Sequence, residues 1–199
     1  MNKGAKVLGA MLLMSLAVPT AAQVASPGYT FLQAVRERDG TKATDLLQQP
    51  GSRVVNYRDD KGDSALHIVT SRRDITWLRF LMGQGADINV SNNSGDTPLL
   101  IASRTGFAEG AQALLARGAQ VDKPNRLGET PLIIAVQQRN LELVKLLAER
   151  GANPDRTDNA TGRSARDYAK MDTRAAEILR IIDQAKAAKK PVVVAGPKL

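Results

Sequence analysis

A segment of the form Gly-x-[Thr/Ser]-[Pro/Ala]-Leu recurs along the chain at constant spacing. It reads Gly62-Asp63-Ser64-Ala65-Leu66-His67, then Gly95-Asp96-Thr97-Pro98-Leu99-Leu100, then Gly128-Glu129-Thr130-Pro131-Leu132-Ile133, with the glycines 33 residues apart. A second glycine series keeps the same period: Gly85-Ala86-Asp87, Gly118-Ala119-Gln120 and Gly151-Ala152-Asn153. Two signals locked in phase identify tandem copies of one supersecondary unit rather than a globular enzyme core.

The unit over residues 125–158 shows how the chain folds locally. Asn125-Arg126-Leu127-Gly128 has turn chemistry, and Gly128 accepts a positive φ. Thr130 is a helix cap, and Pro131 falls at the first helical position, where its missing N–H costs nothing. Leu132, Ile133, Ala135 and Val136 predict a short apolar helix. After a break at Asn140, Leu141, Leu143, Val144, Leu146 and Leu147 predict a second, which Gly151 ends. Neither helix is long enough to stand alone in water. Stacked neighbours must bury their apolar faces, and a solenoid follows.

These motifs resemble the ankyrin repeat, whose signature includes Thr-Pro-Leu-His at a period of 33 residues. The resemblance implies an all-α solenoid of stacked helix-turn-helix units joined by hairpin loops. Five units are expected, near 29–55, 56–89, 90–122, 123–155 and 156–185. The first lacks the Thr-Pro turn and has a longer loop near Pro50-Gly51-Ser52-Arg53; the last has one extra residue before its turn. End repeats are degenerate because they face solvent on one side.

The ends read differently. Lys3 and Lys6 precede an apolar run at 7–18, and Pro19-Thr20-Ala21-Ala22-Gln23 offers small residues for cleavage. That is the layout of an export signal at 1–22; a membrane span would need roughly 17–25 apolar residues. A secreted or periplasmic chain is expected, with no stable membrane insertion after cleavage. Residues 186–199, with Lys186, Lys189, Lys190 and two prolines, read as a disordered basic tail. There is no cysteine, so packing alone holds an exported domain together. The net charge of +8 falls to about +6 without the signal. Charge of that size steers anionic partners but is too dispersed along the chain for a nucleic-acid footprint.

Catalytic chemistry finds no foothold. His67 is the only histidine, and it fills the signature position whose imidazole, in ankyrin repeats, ties adjacent hairpin loops together. No nucleophile elbow, phosphate-cradling loop or His/Cys metal set accompanies it. Asp59-Asp60-Lys61-Gly62-Asp63 resembles the start of a calcium loop, but no glutamate closes twelve residues. No enzyme activity, cofactor or metal is expected.

What remains is surface. The resemblance implies a ligand held in a concave groove between the hairpin tips and the first helices. Asp63, Asp96 and Glu129 share one tip position, with Arg163 in the last unit; Arg36, Arg72 and Arg104, followed by Gln137 and Gln138, are assigned to the groove floor. Carboxylates would then line the fingers over a row of arginines. Each set has a second explanation. An acid ahead of a helix start gains about 0.3–1 kcal/mol from the dipole, and arginines are common on solvated helix faces. Trp77, Phe80 and Phe107 read as packing residues, whereas Leu127 at a tip and Tyr57 just ahead of one are candidate hot spots. The expectation is a monomeric, non-enzymatic module that binds another protein in a bacterial periplasm. An enzyme inhibitor or immunity-type protein, a protective scaffold, and a binder of an anionic small ligand or envelope polymer stay open.

Overall fold

The structure, a computed structural model, describes residues 26–188. The expected export signal at 1–22 and residues 189–199 of the expected tail lie outside the described residues. Ten α-helices occur among those described: α1 (Pro27–Glu37), α2 (Gly40–Gln48), α3 (Ala65–Ser71), α4 (Ile75–Gly83), α5 (Pro98–Arg104), α6 (Ala108–Ala116), α7 (Pro131–Gln137), α8 (Leu141–Glu149), α9 (Ala165–Met171) and α10 (Ala176–Ala188). The expected tail therefore starts inside α10, which carries on through its first three residues. No sheet forms among the described residues; only two isolated bridges, Arg58 to Ser64 and Thr157 to Ser164, occur at the hairpins.

Each helix start is specified locally. Thr97 and Thr130 cap α5 and α7, their hydroxyls accepting from Leu100 N and Ile133 N at 3.2 Å, with Pro98 and Pro131 as first helical residues. Ser64 and Ser164 begin α3 and α9 with reciprocal caps, in which the side chains of His67 and Asp167 reach back to the cap residue. Asp39, Asp74 and Asn140 cap α2, α4 and α8. Phe107 holds the same place ahead of α6 and caps nothing. Its ring is buried instead against Gly110, where an added Cβ would come within 2.2 Å of it.

The inner helices α1, α3, α5, α7 and α9 stack in order, as do the outer helices α4, α6, α8 and α10. α2 packs instead on α1 and on a 3-10 turn at Val54–Asn56 that ends the longer first loop. Phe31, Leu66, Leu99 and Leu132 occupy one equivalent position in the first four units and are at most 1% exposed. Burying each of these side chains contributes about 1.5–3 kcal/mol, which seven-residue helices could not gain alone. The fifth unit puts Arg166 there. No sixth unit covers it, and its guanidinium pairs with Asp155 at 2.7 Å and with Asp183 of α10. The outer face of the last repeat is thus polar by substitution at a core position.

Candidate functional site

The fingers are built by a side chain that recurs at the same 33-residue period: Asp59, Asn92, Asn125 and Asp158. Asn92 Oδ1 accepts the N–H groups of Ser94 and Asp96, and Asn125 Oδ1 those of Leu127 and Glu129, all at 3.0 Å. Asp59 Oδ1 does the same for Lys61 and Asp63 at 2.9 Å. Successive fingers then bond to one another through the backbone: Asn93 N to Lys61 O at 2.9 Å, Arg126 N to Ser94 O at 3.1 Å, and Asn159 N to Leu127 O at 2.8 Å. Gly95 and Gly128 make this approach possible. Both have positive φ (82° and 77°), and a Cβ on either would lie 2.7 Å from the next finger's backbone nitrogen. The result is a rigid comb rather than a set of loose loops.

Beneath the comb lies an open groove of about 560 Å3, lined by finger residues (Asp59, Lys61, Asp63, Asn92, Asp96) and by α1, α3 and α5 residues that include Arg36, Ile68, Ser71, Ile101 and Arg104. Its charges are mostly paired. Arg36 Nη2 donates to Asp59 Oδ2 at 2.6 Å. Arg104 grips Asp96 with two bonds, Nη1 to Oδ2 at 2.7 Å and Nη2 to Oδ1 at 3.1 Å, and lies 3.5 Å from Glu129. Burial opposes the charge on Asp96, but hydrogen bonds from Arg104 and Asn125 outweigh it and hold the carboxyl below its ordinary pKa. The same bond to Asp96 raises the Arg104 guanidinium further.

His67 ties the second finger to the third. Its Nδ1 accepts from Ser64 N at 3.1 Å, which leaves the ring proton on Nε2, 2.9 Å from the Asp96 carbonyl oxygen to which it donates. Burial lowers the imidazole pKa below 6.5, so the ring is neutral in this arrangement.

Several expected site residues fall elsewhere. Arg72 is not on the floor. The αL residues Arg38, Arg73, Gly106 and Arg139 mark equivalent turns, and counting back from them places Ser71, not Arg72, level with Arg36, Arg104 and Gln137. Arg72 turns toward the preceding repeat, where Nη1 donates to Val35 O at 2.6 Å, Nε sits 3.3 Å from Asp74 and the guanidinium stacks 5.7 Å from the Trp77 ring. The expected row of three arginines is therefore two, with a gap at Ser71. Tyr57 is not an exposed hot spot either: its ring covers Gly28 of α1, where an added Cβ would lie 2.1 Å away. Leu127 stands at its fingertip, 57% exposed. Phe107 is buried, and Trp77 and Phe80 are half-buried in an edge-to-face pair.

The finger anchors Asp59, Asn92, Asn125 and Asp158 were passed over in the sequence although their spacing is regular; the period that reveals the glycines reveals them too. Ser71 had no such signal. Among the described residues no group of three or more His, Cys, Asp or Glu is placed to hold a metal ion, and no helix is long and apolar enough to cross a membrane.

Paired helices stacked behind a comb of hairpins define a repeat solenoid, a class whose rigid inner face is a binding surface. The family described as ankyrin repeats (3 copies) matches residues 31–125, 78–158 and 107–184. These overlapping matches span nearly all of the described residues, and the chain belongs to the ankyrin-repeat family. Ankyrin repeats are generally protein–protein interaction modules and typically not enzymes. Comparison with curated proteins gives no match.

Proposed function

We propose that this chain is an exported, non-enzymatic binding module that works as a monomer in a bacterial periplasm and holds one partner protein in its concave groove. Export rests on the pattern at residues 1–23. The observation that carries the binding reading is the comb itself: hydrogen bonds between fingers fix the groove before any partner arrives, so association loses little ordering entropy. Exposed Leu127 extends the surface at the tips. An anionic ligand is the weaker reading, because Arg36 and Arg104 are paired with Asp59 and Asp96 and the cation row stops at Ser71.

The test is cross-linking capture from cell-envelope extract, with the chain from Gln23 onward as bait. A second bait carries Ser71→Trp and Thr105→Trp, which fill the groove from exposed or half-buried positions. A protein recovered by the first bait and lost by the second is the expected result. Recovery by both moves the site to the fingertips, and recovery by neither removes the protein-partner reading.

A further inference from the structure

The repeats provide an internal template for the gap in the groove. In the third repeat the finger acid Asp96 is met by Arg104, eight residues later at the end of α5. In the second repeat the corresponding pair is Asp63 and Ser71. Ser71 cannot reach; its hydroxyl donates to Ile68 O at 2.8 Å. Asp63 keeps one side-chain bond, from Asn92 Nδ2 to Oδ1 at 2.9 Å. Its Oδ2 has no hydrogen-bond partner among the described residues, and no cation among them pairs with it. The groove lies where the missing side chain would, with Ile68 and Ile101 on the floor and Asp63 on the wall.

The surrounding field suits a cation, although the chain as a whole is positive. Arg36 is engaged by Asp59, and Arg104 by Asp96 and Glu129. Four carboxylates (Asp59, Asp63, Asp96, Glu129) against three cations (Arg36, Lys61, Arg104) leave the groove one negative charge, and that charge is the unmet one at Asp63. Lys61 is on the exposed fingertip and forms no ion pair among the described residues, so it competes only by giving up its own hydration.

We infer that the notch above Ser71 receives a basic side chain, an arginine, from an extended segment of the partner protein. Its guanidinium pairs with Asp63 as Arg104 pairs with Asp96, and its methylene stem lies on Ile68 and Ile101. Lysine is the poorer occupant, because a point charge cannot reproduce the two-pronged grip. The inference rests on the groove reading above and names the group that the groove selects.

The test uses twelve-residue peptides selected from a phage-displayed random library against the whole chain. The expected peptides share an arginine. Asp63→Asn and Ser71→Arg each weaken their binding by roughly 10-fold to 100-fold, the range for a charged hydrogen bond; the first keeps the bond to Asn92 and the second supplies the chain's own arginine. Replacing the peptide arginine with uncharged citrulline costs the same against the native chain and nothing further against Asp63→Asn. Peptides lost on Ser71→Trp/Thr105→Trp but indifferent to Asp63→Asn would overturn the arginine notch and leave the groove reading standing. A selection that yields no groove-dependent peptide overturns both.

Discussion

Replacing His67 with leucine tests how the second and third fingers are held together. Leucine fits, because Leu100 and Ile133 occupy the same position in the next two repeats and are at most 3% exposed there, if His67 is matched by Leu100 at 0% and the helix context by Ile134 at 3%. The variant loses the bond from Nε2 to Asp96 O and the cap on Ser64 N. Asp96 O still accepts from Asn92 N at 3.0 Å, so no carbonyl is orphaned, and the net cost at pH 7.5 is about 1–2 kcal/mol. The pH dependence is the sharper measure. Burial lowers the folded imidazole pKa below the ordinary 6.5, and the neighbouring charges, Asp63 and Asp96 against Arg58, do not reverse this. The unfolded state therefore binds the proton first. The contribution of His67 is fully present above pH 6.5 and is lost as pH falls from there toward the folded pKa. Proton uptake by the unfolded chain alone sets a ceiling of about 1.4 kcal/mol on the loss at pH 5.5. Urea unfolding of both proteins at pH 7.5 and 5.5 reads the difference directly, since no other histidine titrates in that window. The native chain should lose more stability than the variant. Parallel losses would refute the neutral, doubly bonded imidazole.

Three further outcomes follow from the packing. Thr70 is fully buried with an unpaired hydroxyl, while Val35 and Val136 hold the equivalent position; Thr70→Val should stabilise by about 1 kcal/mol, and a loss in urea unfolding would mean the hydroxyl has a partner. Gly110→Ala drives a Cβ into the Phe107 ring and should cost about 1–3 kcal/mol, with much less in a Phe107→Leu background; equal costs in the two backgrounds would exclude the ring as the cause. A double-mutant cycle on Asp96→Asn and Arg104→Gln should give a coupling near 1 kcal/mol, held down by the 41% exposure of the arginine side chain, and additivity would show the pair to be energetically idle.

The groove was only partly legible in the chain. Asp63, Asp96 and Glu129 lie on the fingers because they follow invariant spacings from glycines that the hairpins require. Arg36 and Arg104 lie on the floor for the same reason. Arg72 was misplaced by one residue, since an α-helix of seven residues turns about 100° per residue and one step carries a side chain from the groove to the neighbouring repeat. Only the left-handed turn residues, three of them arginine rather than glycine, fix that count. Tyr57 looked free because the glycine it covers, Gly28, is distant in sequence and outside the recognisable repeat.

The sequence by itself determined the period, the helix starts at Thr97, Pro98, Thr130 and Pro131, the leucines that each unit buries, and so the ankyrin solenoid. These are local rules repeated, and stacking identical units leaves the chain few other ways to cover its apolar faces. Tertiary structure alone decided which charges are spent and which are left. Asp96 and Asp63 are the same residue at the same place in two repeats, and they differ because one faces Arg104 across the groove and the other faces Ser71. Pairing depends on what a side chain can reach in space, to within an ångström, and no spacing along the chain carries that information.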